Sequence, residues 1–188
     1  MKSAADILLP LQAQQQAHDE WAHRDILNLD THNRLKHMIL HFLKYAGKIA
    51  IARENDDERA LHTVLVDAFI ICLATANALN VSIGKHIDIK AQDLEDLVSK
   101  LASVSDQHDP YLDALFNITT LAGQMAKSIE STDHLEKGDP RSAMEVLIVQ
   151  LTTSLLSSLG KHPKNLSIEI KNRWLSVEKK SIFYKAVL

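Results

Sequence analysis

Four basic side chains lie at helical spacing in the first third of the chain, at His37, His41, Lys44 and Lys48. Residues three or four apart share one face of a helix, so these side chains form a strip on the same side. Two histidines four residues apart have the spacing of metal ligands, but no glutamate lies between them and no third ligand is evident. The positive charge of the strip could instead bind a phosphate group. The favoured interpretation is a third one, a helix face that meets a partner helix.

Asp67 lies inside an almost wholly apolar stretch, Leu61 to Val81, written LHTVLVDAFIICLATANALNV. The stretch is about as long as the roughly 20 residues that cross a bilayer. Three further polar residues, His62, Asn77 and Asn80, also interrupt it, which makes it a poor membrane span. We therefore predict a central buried helix and no membrane association. Because a buried aspartate needs a partner, Asp67 is the candidate functional residue of this helix.

Three further groups contain side chains that can bind metals, each with a simpler explanation. The residues of 18–25 lie on several helix faces and are expected to form a solvated surface, and Gln12 to Gln16 is expected to face water. The acidic turn at 54–58 precedes a helix, whose dipole it suits. In the loop at 105–109, Asp109 is explained as a helix cap. The histidines and acids concerned are His18, Asp19, Glu20, His23, Asp25, Glu54, Asp56, Asp57, Glu58, Asp106, His108 and Asp109.

Apolar periodicity predicts that helices position these residues. The chain has only five glycines, four prolines and 5% aromatic residues, and this low content disfavours a β-sandwich. Asp30 offers a cap for a helix that ends near Arg53, and Asp109-Pro110 and Asp139-Pro140 each place a cap before a proline at the first helical position. The predicted helices cover about 3–28, 31–53, 59–80, 89–101, 110–130, 141–159 and 165–184.

Two short segments, AGKIA at 46–50 and AGQMA at 122–126, indicate an internal repeat. Each lies late in an amphipathic helix and precedes a charged loop and an almost wholly apolar helix. We predict one all-α domain over 1–188, a helical bundle of two repeat halves at about 1–88 and 89–188. Glycine within a helix is tolerated where another helix approaches closely, so Gly47 and Gly123 are expected at two equivalent helix crossings.

The segments RLKHMILHFLKYAGKIA (34–50) and VLVDAFIICLATANALNV (64–81) are similar to the MazG-like all-α nucleoside triphosphate pyrophosphohydrolases. The family pattern has Glu-x-x-Glu on the first helix and Glu-x-x-Asp on the second. The resemblance implies a four-helix core, here an internal pseudo-dimer of two MazG-like halves. It also implies carboxylates on facing helices that hold Mg²⁺, which activates water.

Most of the acids that this chemistry requires are missing. Of the corresponding residues only Asp67 is an acid, and a lysine at Lys48 would repel a metal. We therefore expect no magnesium site of the family type, a Lys48–Asp67 ion pair in its place, and a neutral Gln124–Gln150 pair in the second half. The residues at the family's carboxylate positions are Tyr45, Lys48, Val64, Asp67, Leu121, Gln124, Leu147 and Gln150.

The C-terminal stretch is basic, and in the related enzymes basic residues near the end of the fold meet the nucleotide phosphates. A solvated helix face is the favoured alternative. Trp174 and Phe183 could stack on a base, although packing on the bundle is favoured. The basic residues are Lys161, Lys164, Lys171, Arg173, Lys179, Lys180 and Lys185.

We accordingly expect a MazG-like relative with a degenerate metal site, which binds a nucleotide or phosphate ligand with little or no hydrolysis. One alternative is an active magnesium-dependent pyrophosphohydrolase with a relocated site at Glu54, Asp57, Glu58 and Asp67. The other is a non-catalytic protein-interaction module. No catalytic residue or metal ligand is assigned, and magnesium would be the cofactor only of the active enzyme. The candidate ligand-binding residues are His37, His41, Lys44, Lys48, Asp67, Lys171 and Arg173.

The bulk composition limits the partners and the compartment. A net charge of −3 provides no general attraction to nucleic acid. The single cysteine, Cys72, lies in the apolar stretch, excludes an intrachain disulfide and suits a reducing compartment. The first residues lack a signal-peptide pattern. We expect a cytoplasmic protein, with a homodimer as an open possibility.

Overall fold

The computed structural model describes residues 1–105, 109–162 and 165–180. It is 81% helical, which confirms the predicted all-α class. Two-residue strands, β1 (Lys2–Ser3) and β2 (Lys90–Ala91), pair antiparallel, and a 3-10 helix covers Ile83–His86. The α-helices are α1 (Ala4–Ala22), α2 (Arg24–Leu27), α3 (Thr31–Glu54), α4 (Glu58–Leu79), α5 (Leu94–Ser103), α6 (Pro110–Asp133), α7 (Pro140–Gly160) and α8 (Leu166–Glu178).

Four long helices, α3, α4, α6 and α7, form the central bundle. Helix α3 packs against α4 and α6, and α7 packs against α4 and α6. Contacts at both ends show that α3 and α6 are antiparallel: Arg53 binds Asp109 at 2.8 Å, and His32 binds Asp133 at 2.8 Å. The short connections α3–α4 and α6–α7 make those pairs antiparallel as well.

Aspartate caps start these helices where the sequence predicts. The Asp30 carboxylate accepts the amide of Asn33, and the Asp139 carboxylate accepts the amide of Ser142. Asp109 accepts two amides, those of Tyr111 and Leu112. Each cap satisfies backbone donors that the first turn leaves unpaired. The helix starts predicted at Asp30, Asp109 and Asp139 are therefore confirmed.

Helix α4 is the central helix of the bundle, with fully buried residues on several faces. By length and composition both α4 and α7 could cross a membrane, but 67% and 56% of their most apolar windows are buried inside the protein. Buried core helices share these properties, so neither helix is strong evidence of a membrane span. The absence of membrane association stays a prediction.

The glycines at the predicted helix crossings are open to solvent. A side-chain carbon added at Gly47 or Gly123 would meet nothing within 4 Å, so the predicted crossing role is wrong. The preceding alanines, Ala46 and Ala122, face the core instead, with exposed fractions of 8% and 0%. The close approach occurs elsewhere: a carbon added at Gly160 would collide with the carbonyl of Val98 on α5.

Helices α1 and α8 cover one side of the bundle. Both pack against α4 and also contact each other. The short α2 follows α1 after a break at His23, whose backbone leaves the helical region at φ −133° and ψ 41°. Helices α1, α2 and α8 therefore border a space together with α3 and α4.

Candidate ligand-binding pocket

A cavity of about 200 Å³ lies between α1, α2, α3, α4 and α8. An apolar cavity of about 150 Å³ is large enough to hold benzene, so this one can hold a small ring system. Most of its wall is apolar, and polar side chains are grouped at its edges. Its apolar lining comes from Ile26, Leu27, Met38, Ile70, Ile71, Ala74 and Val177.

Asp67 pairs with Arg173 of α8 at the edge of this cavity. Arg173 donates from Nε to Oδ1 at 2.6 Å and from Nη2 to Oδ2 at 2.8 Å. The Asp67 side chain is 14% exposed. The bond to Asp67 raises the pKa of the Arg173 guanidinium above its ordinary value. Asp67 therefore has the partner that its burial requires.

The predicted Lys48–Asp67 ion pair is wrong. The Lys48 ammonium lies 5.8 Å from the centre of the Tyr45 ring, and Arg173 occupies both carboxylate oxygens. A planar guanidinium matches two carboxylate oxygens better than an ammonium does, which explains the exchange of partner. In the second half, Gln124 and Gln150 are both exposed, so the neutral pair predicted there is also wrong.

His37, His41 and Lys44 form a hydrogen-bonded chain along α3. The Nε2 atoms of His37 and His41 are 3.1 Å apart, and the Lys44 ammonium is 3.0 Å from Nδ1 of His41. Because an ammonium can only donate, Nδ1 of His41 must accept, which leaves the proton on Nε2. His41 then donates that proton to His37. Both histidines line the cavity.

Burial and the nearby Lys44 charge lower the pKa of His41 from 6.5 to about 4. His41 is therefore neutral at pH 7 and adds no charge to the predicted phosphate-binding strip. Lys44 and Lys48 supply the charge, and both ammonium groups lie beside the Tyr45 ring. Burial, with the Asp67 charge second, raises the pKa of the Tyr45 hydroxyl, which keeps that group protonated.

His18 and Asp19 are buried, with exposed fractions of 7% and 5%. The solvated surface expected here is wrong for these two residues, although Glu20 and Asp25 are exposed. Trp174 of α8 stacks on the ring of His18 at 6.1 Å between centroids. Helix α8, which is distant in the sequence, thus covers His18 and Asp19.

Gln15 connects this buried group to α8. Its side chain accepts a hydrogen bond from Trp174 Nε1 at 2.7 Å and donates one to Oδ1 of Asp19 at 2.8 Å. Gln15 is 2% exposed, so the prediction that this glutamine run faces water is wrong there. The signal was present, since Gln15 and Asp19 continue the face of Leu8 at helical spacing. Burial of Trp174 confirms that it packs on the bundle.

The polar edge of the cavity contains buried atoms without a partner in the described part of the chain. They are Oδ2 of Asp19 and Nε and Nη2 of Arg34. Burial raises the pKa of Asp19 and lowers that of Arg34. Unpaired buried polar atoms are costly, and the two residues that carry them, Asp19 and Arg34, both line the cavity.

An open groove adjoins the cavity and shares Asp67 and Arg173 with it. Lys48 and Arg59 also line this groove, together with Asp57. Its volume is about 490 Å³. Three cationic side chains therefore face two carboxylates, one of which, Asp67, is already neutralised by Arg173.

The acids of the predicted relocated enzyme site have separate roles. Asp57 caps α4 through the amide of Ala60. Glu58 lies near Tyr111 and, after burial, helps to raise the pKa of its hydroxyl, and Glu54 is exposed at the end of α3. With Asp67 bound to Arg173, these acids form no common metal-binding group. Of the basic tail, Lys171 is exposed and lies outside the lining of the cavity and the groove. Lys164, Phe183, Lys185, Asp106 and His108 lie outside the described residues.

Comparison of the chain with family models, with curated proteins and with solved structures gives no match. The resemblance to the MazG-like family therefore stays a prediction. The function is therefore inferred from the pocket.

Proposed function

We propose that the protein is a MazG-like relative that binds a nucleotide or a related phosphate ligand with little or no hydrolysis. One observation carries the proposal: a partly enclosed, mostly apolar cavity and an open cationic groove meet at the Asp67–Arg173 pair. A ligand with a flat ring and a phosphate chain has the same two parts. Such a ligand could place its ring in the cavity and its phosphates in the groove.

The cavity suits the ring because it offers both apolar walls and unpaired polar atoms. A heterocyclic ring can donate an N–H to Oδ2 of Asp19 and accept from the free donors of Arg34. Binding would then relieve the cost of leaving these buried atoms unpaired, which is a common source of specificity. A saturated apolar ligand could not make either contact.

The groove suits the phosphates because its cationic groups come from three helices. Lys48 comes from α3, Arg59 from α4 and Arg173 from α8. Attraction between these groups and a phosphate requires no metal. Lack of hydrolysis is supported by Asp67, the only acid at the family's carboxylate positions, because both of its oxygens already accept bonds from Arg173.

The proposal includes an internal pseudo-dimer of two halves, about 1–88 and 89–188, in a cytoplasmic protein. Two antiparallel helix pairs, α3–α4 and α6–α7, support it. Within the matching segments, Ala46 and Ala122 are both buried while Gly47 and Gly123 are both open. The two segments thus share one pattern of burial, as repeat halves would.

The experiment is thermal unfolding with nucleoside mono-, di- and triphosphates, each with and without Mg²⁺, followed by calorimetric titration of any ligand that raises Tm. A ligand that binds only the native state raises its stability by mass action. We expect a rise in Tm that does not require Mg²⁺, and a clear loss of affinity in Lys48→Ala. Lys171→Ala, an exposed lysine outside the groove, is the matched control and should bind normally.

Two results would contradict this proposal. Pyrophosphate release that depends on Mg²⁺ would support the active enzyme instead. A Tm that no phosphate ligand changes would remove the binding function altogether.

A protein-interaction module is the second candidate function, and exposed apolar residues favour it. Leu40, Leu43 and Ile51 lie on the same face of α3 as Gly47, with exposed fractions of 64%, 44% and 62% for the three apolar residues. Phe116 on the neighbouring α6 is 70% exposed. Apolar patches of this kind often mark interaction surfaces.

A further inference from the structure

We propose that His18, Asp19 and His23 form a binding site for a divalent transition metal of the Zn²⁺ type. One ligand atom from each of the three side chains lies within 4.8 Å of the other two. All three residues line the cavity. The site uses residues outside the family pattern, so it does not rest on the family resemblance. A metal would take the same Asp19 oxygen that the ring of the proposed ligand would bond, so the two proposals exclude each other at this atom.

The distances require only small adjustments of the side chains. A metal equidistant from three atoms 4.8 Å apart would lie about 2.8 Å from each, whereas zinc binds histidine nitrogen at about 2.0–2.1 Å. Each side chain would therefore move by less than about 1 Å. Rotation about the side-chain bonds of histidine and aspartate can supply that movement.

Asp19 provides the strongest sign that a cation belongs here. Its side chain is buried, and Oδ2 has no hydrogen-bond partner in the described part of the chain. Arg34 lies near enough to interact with Asp19 but makes no hydrogen bond with it. Buried carboxylates are normally paired or bound to a metal. A metal at this site would use the free oxygen of Asp19 and offset the cost of its burial.

The contacts around these residues resemble the outer contacts of known metal sites. Nδ1 of His18 lies 3.1 Å from the Glu178 carboxylate, which leaves Nε2 as the nitrogen that can bind a metal. Gln15 holds the other oxygen of Asp19 at 2.8 Å. Histidines that bind zinc usually donate their second N–H to a carboxylate or carbonyl, and such contacts fix the ring. Both His18 and Asp19 are fixed in this way.

The ligand set selects the class of metal. Two imidazoles and one carboxylate suit zinc, iron, cobalt or nickel, whereas Mg²⁺ prefers oxygen ligands and an octahedral shell. Three protein ligands leave at least one coordination position open for water or for a ligand in the cavity that all three residues line. The neighbouring pair His37 and His41 is a poor alternative, because Lys44 donates to the ring nitrogen that should carry a proton in a metal-bound histidine.

The test is calorimetric titration of the EDTA-treated, full-length protein with Zn²⁺ alone, together with the absorption spectrum after addition of Co²⁺. We expect one equivalent of bound metal and a cobalt spectrum typical of low coordination number. Asp19→Asn and His23→Gln should lose this binding, and Glu178→Gln should weaken it by about 10–100-fold. The matched control His41→Gln, from the same cavity, should bind metal as the wild type does.

Asp19→Asn also separates a metal site from a purely structural role. It keeps a side chain that Gln15 can bond and removes a buried charge, so the metal-free variant should fold with a Tm no lower than that of the wild type. Only the rise in Tm on addition of Zn²⁺ should disappear. The proposal is overturned if the wild type binds no metal at one equivalent, or if Asp19→Asn and His23→Gln bind as tightly as the wild type. Loss of binding only in His41→Gln would overturn it too.

Discussion

His41 is neutral at pH 7 because its surroundings oppose a positive charge. The ring is partly buried, Lys44 donates to Nδ1, and His37, His23 and Lys48 lie near enough to add further repulsion when they are charged. The hydrogen bond between His37 and His41 on α3 therefore has a fixed direction, in which His41 donates and His37 accepts. The direction of this hydrogen bond follows from the single fact that Lys44 cannot accept one.

The low pKa of His41 predicts how stability depends on pH. In the unfolded chain His41 takes up a proton below pH 6.5, whereas in the folded protein it stays neutral down to about pH 4. The unfolded state therefore binds more protons between these values, and the free energy of unfolding falls as the pH is lowered from 6.5 to 4. Urea unfolding at a series of pH values should show a shallower fall in His41→Gln than in the wild type. Identical pH profiles of the two proteins would contradict the assignment.

At the scale of helices, glycines at different positions have opposite structural roles. Gly47 and Gly123 lie in open positions within helices, whereas Gly160 ends α7 against the backbone of α5. At Gly47 and Gly123 the effect of an added side chain depends on helix propensity alone. At Gly160 it depends on the collision of the added carbon with Val98.

We therefore expect Gly47→Ala and Gly123→Ala each to raise the free energy of unfolding by about 0.5–1 kcal/mol. Gly160→Ala should lower it by about 1–3 kcal/mol, because the added methyl group must displace the Val98 carbonyl. Urea unfolding of the three variants measures both effects. The variants are compared at a protein concentration at which the wild type is monomeric, and a loss of stability in Gly47→Ala under that condition would contradict the open position of Gly47.

Helix ends could be predicted from the sequence because a cap and the turn that it starts lie within a few residues. Asp109 with Pro110 specifies the start of α6 without reference to any other helix. The central position of α4 could also be predicted, since a helix apolar on nearly every face has to be buried. Both predictions depend only on local pattern.

The pocket could be predicted only in part because its contacts join distant parts of the chain. Asp67 was identified as a residue that needs a partner, but Arg173 lies 106 positions away. His18 and Trp174 come together only when α8 packs on α1. Periodicity shows which face of a helix is apolar. It does not show which helix from later in the chain will cover the polar face. From the sequence alone the buried His18 is therefore expected at the surface.

At the scale of the whole molecule, the exposed apolar face of α3 and α6 predicts a homodimer. We expect the wild type to sediment as a dimer and Phe116→Glu to sediment as a monomer, because a charge would have to be buried in the interface. Analytical ultracentrifugation measures both. Val104→Glu is the control, since Val104 is 75% exposed at the end of α5, a helix that packs mainly against α7. A wild-type protein that stays monomeric at high concentration would remove the prediction.

Helix α8 supplies Arg173, Trp174 and Glu178 and follows every other described helix along the chain. During synthesis the hairpins α3–α4 and α6–α7 can form from nearby residues, whereas the complete α8 can dock only after residue 178 has emerged. Within the described residues, the pocket is then the last part of the fold to form. A small molecule that recognises the completed pocket would act on newly made chains as a folding aid, favouring the final docking step.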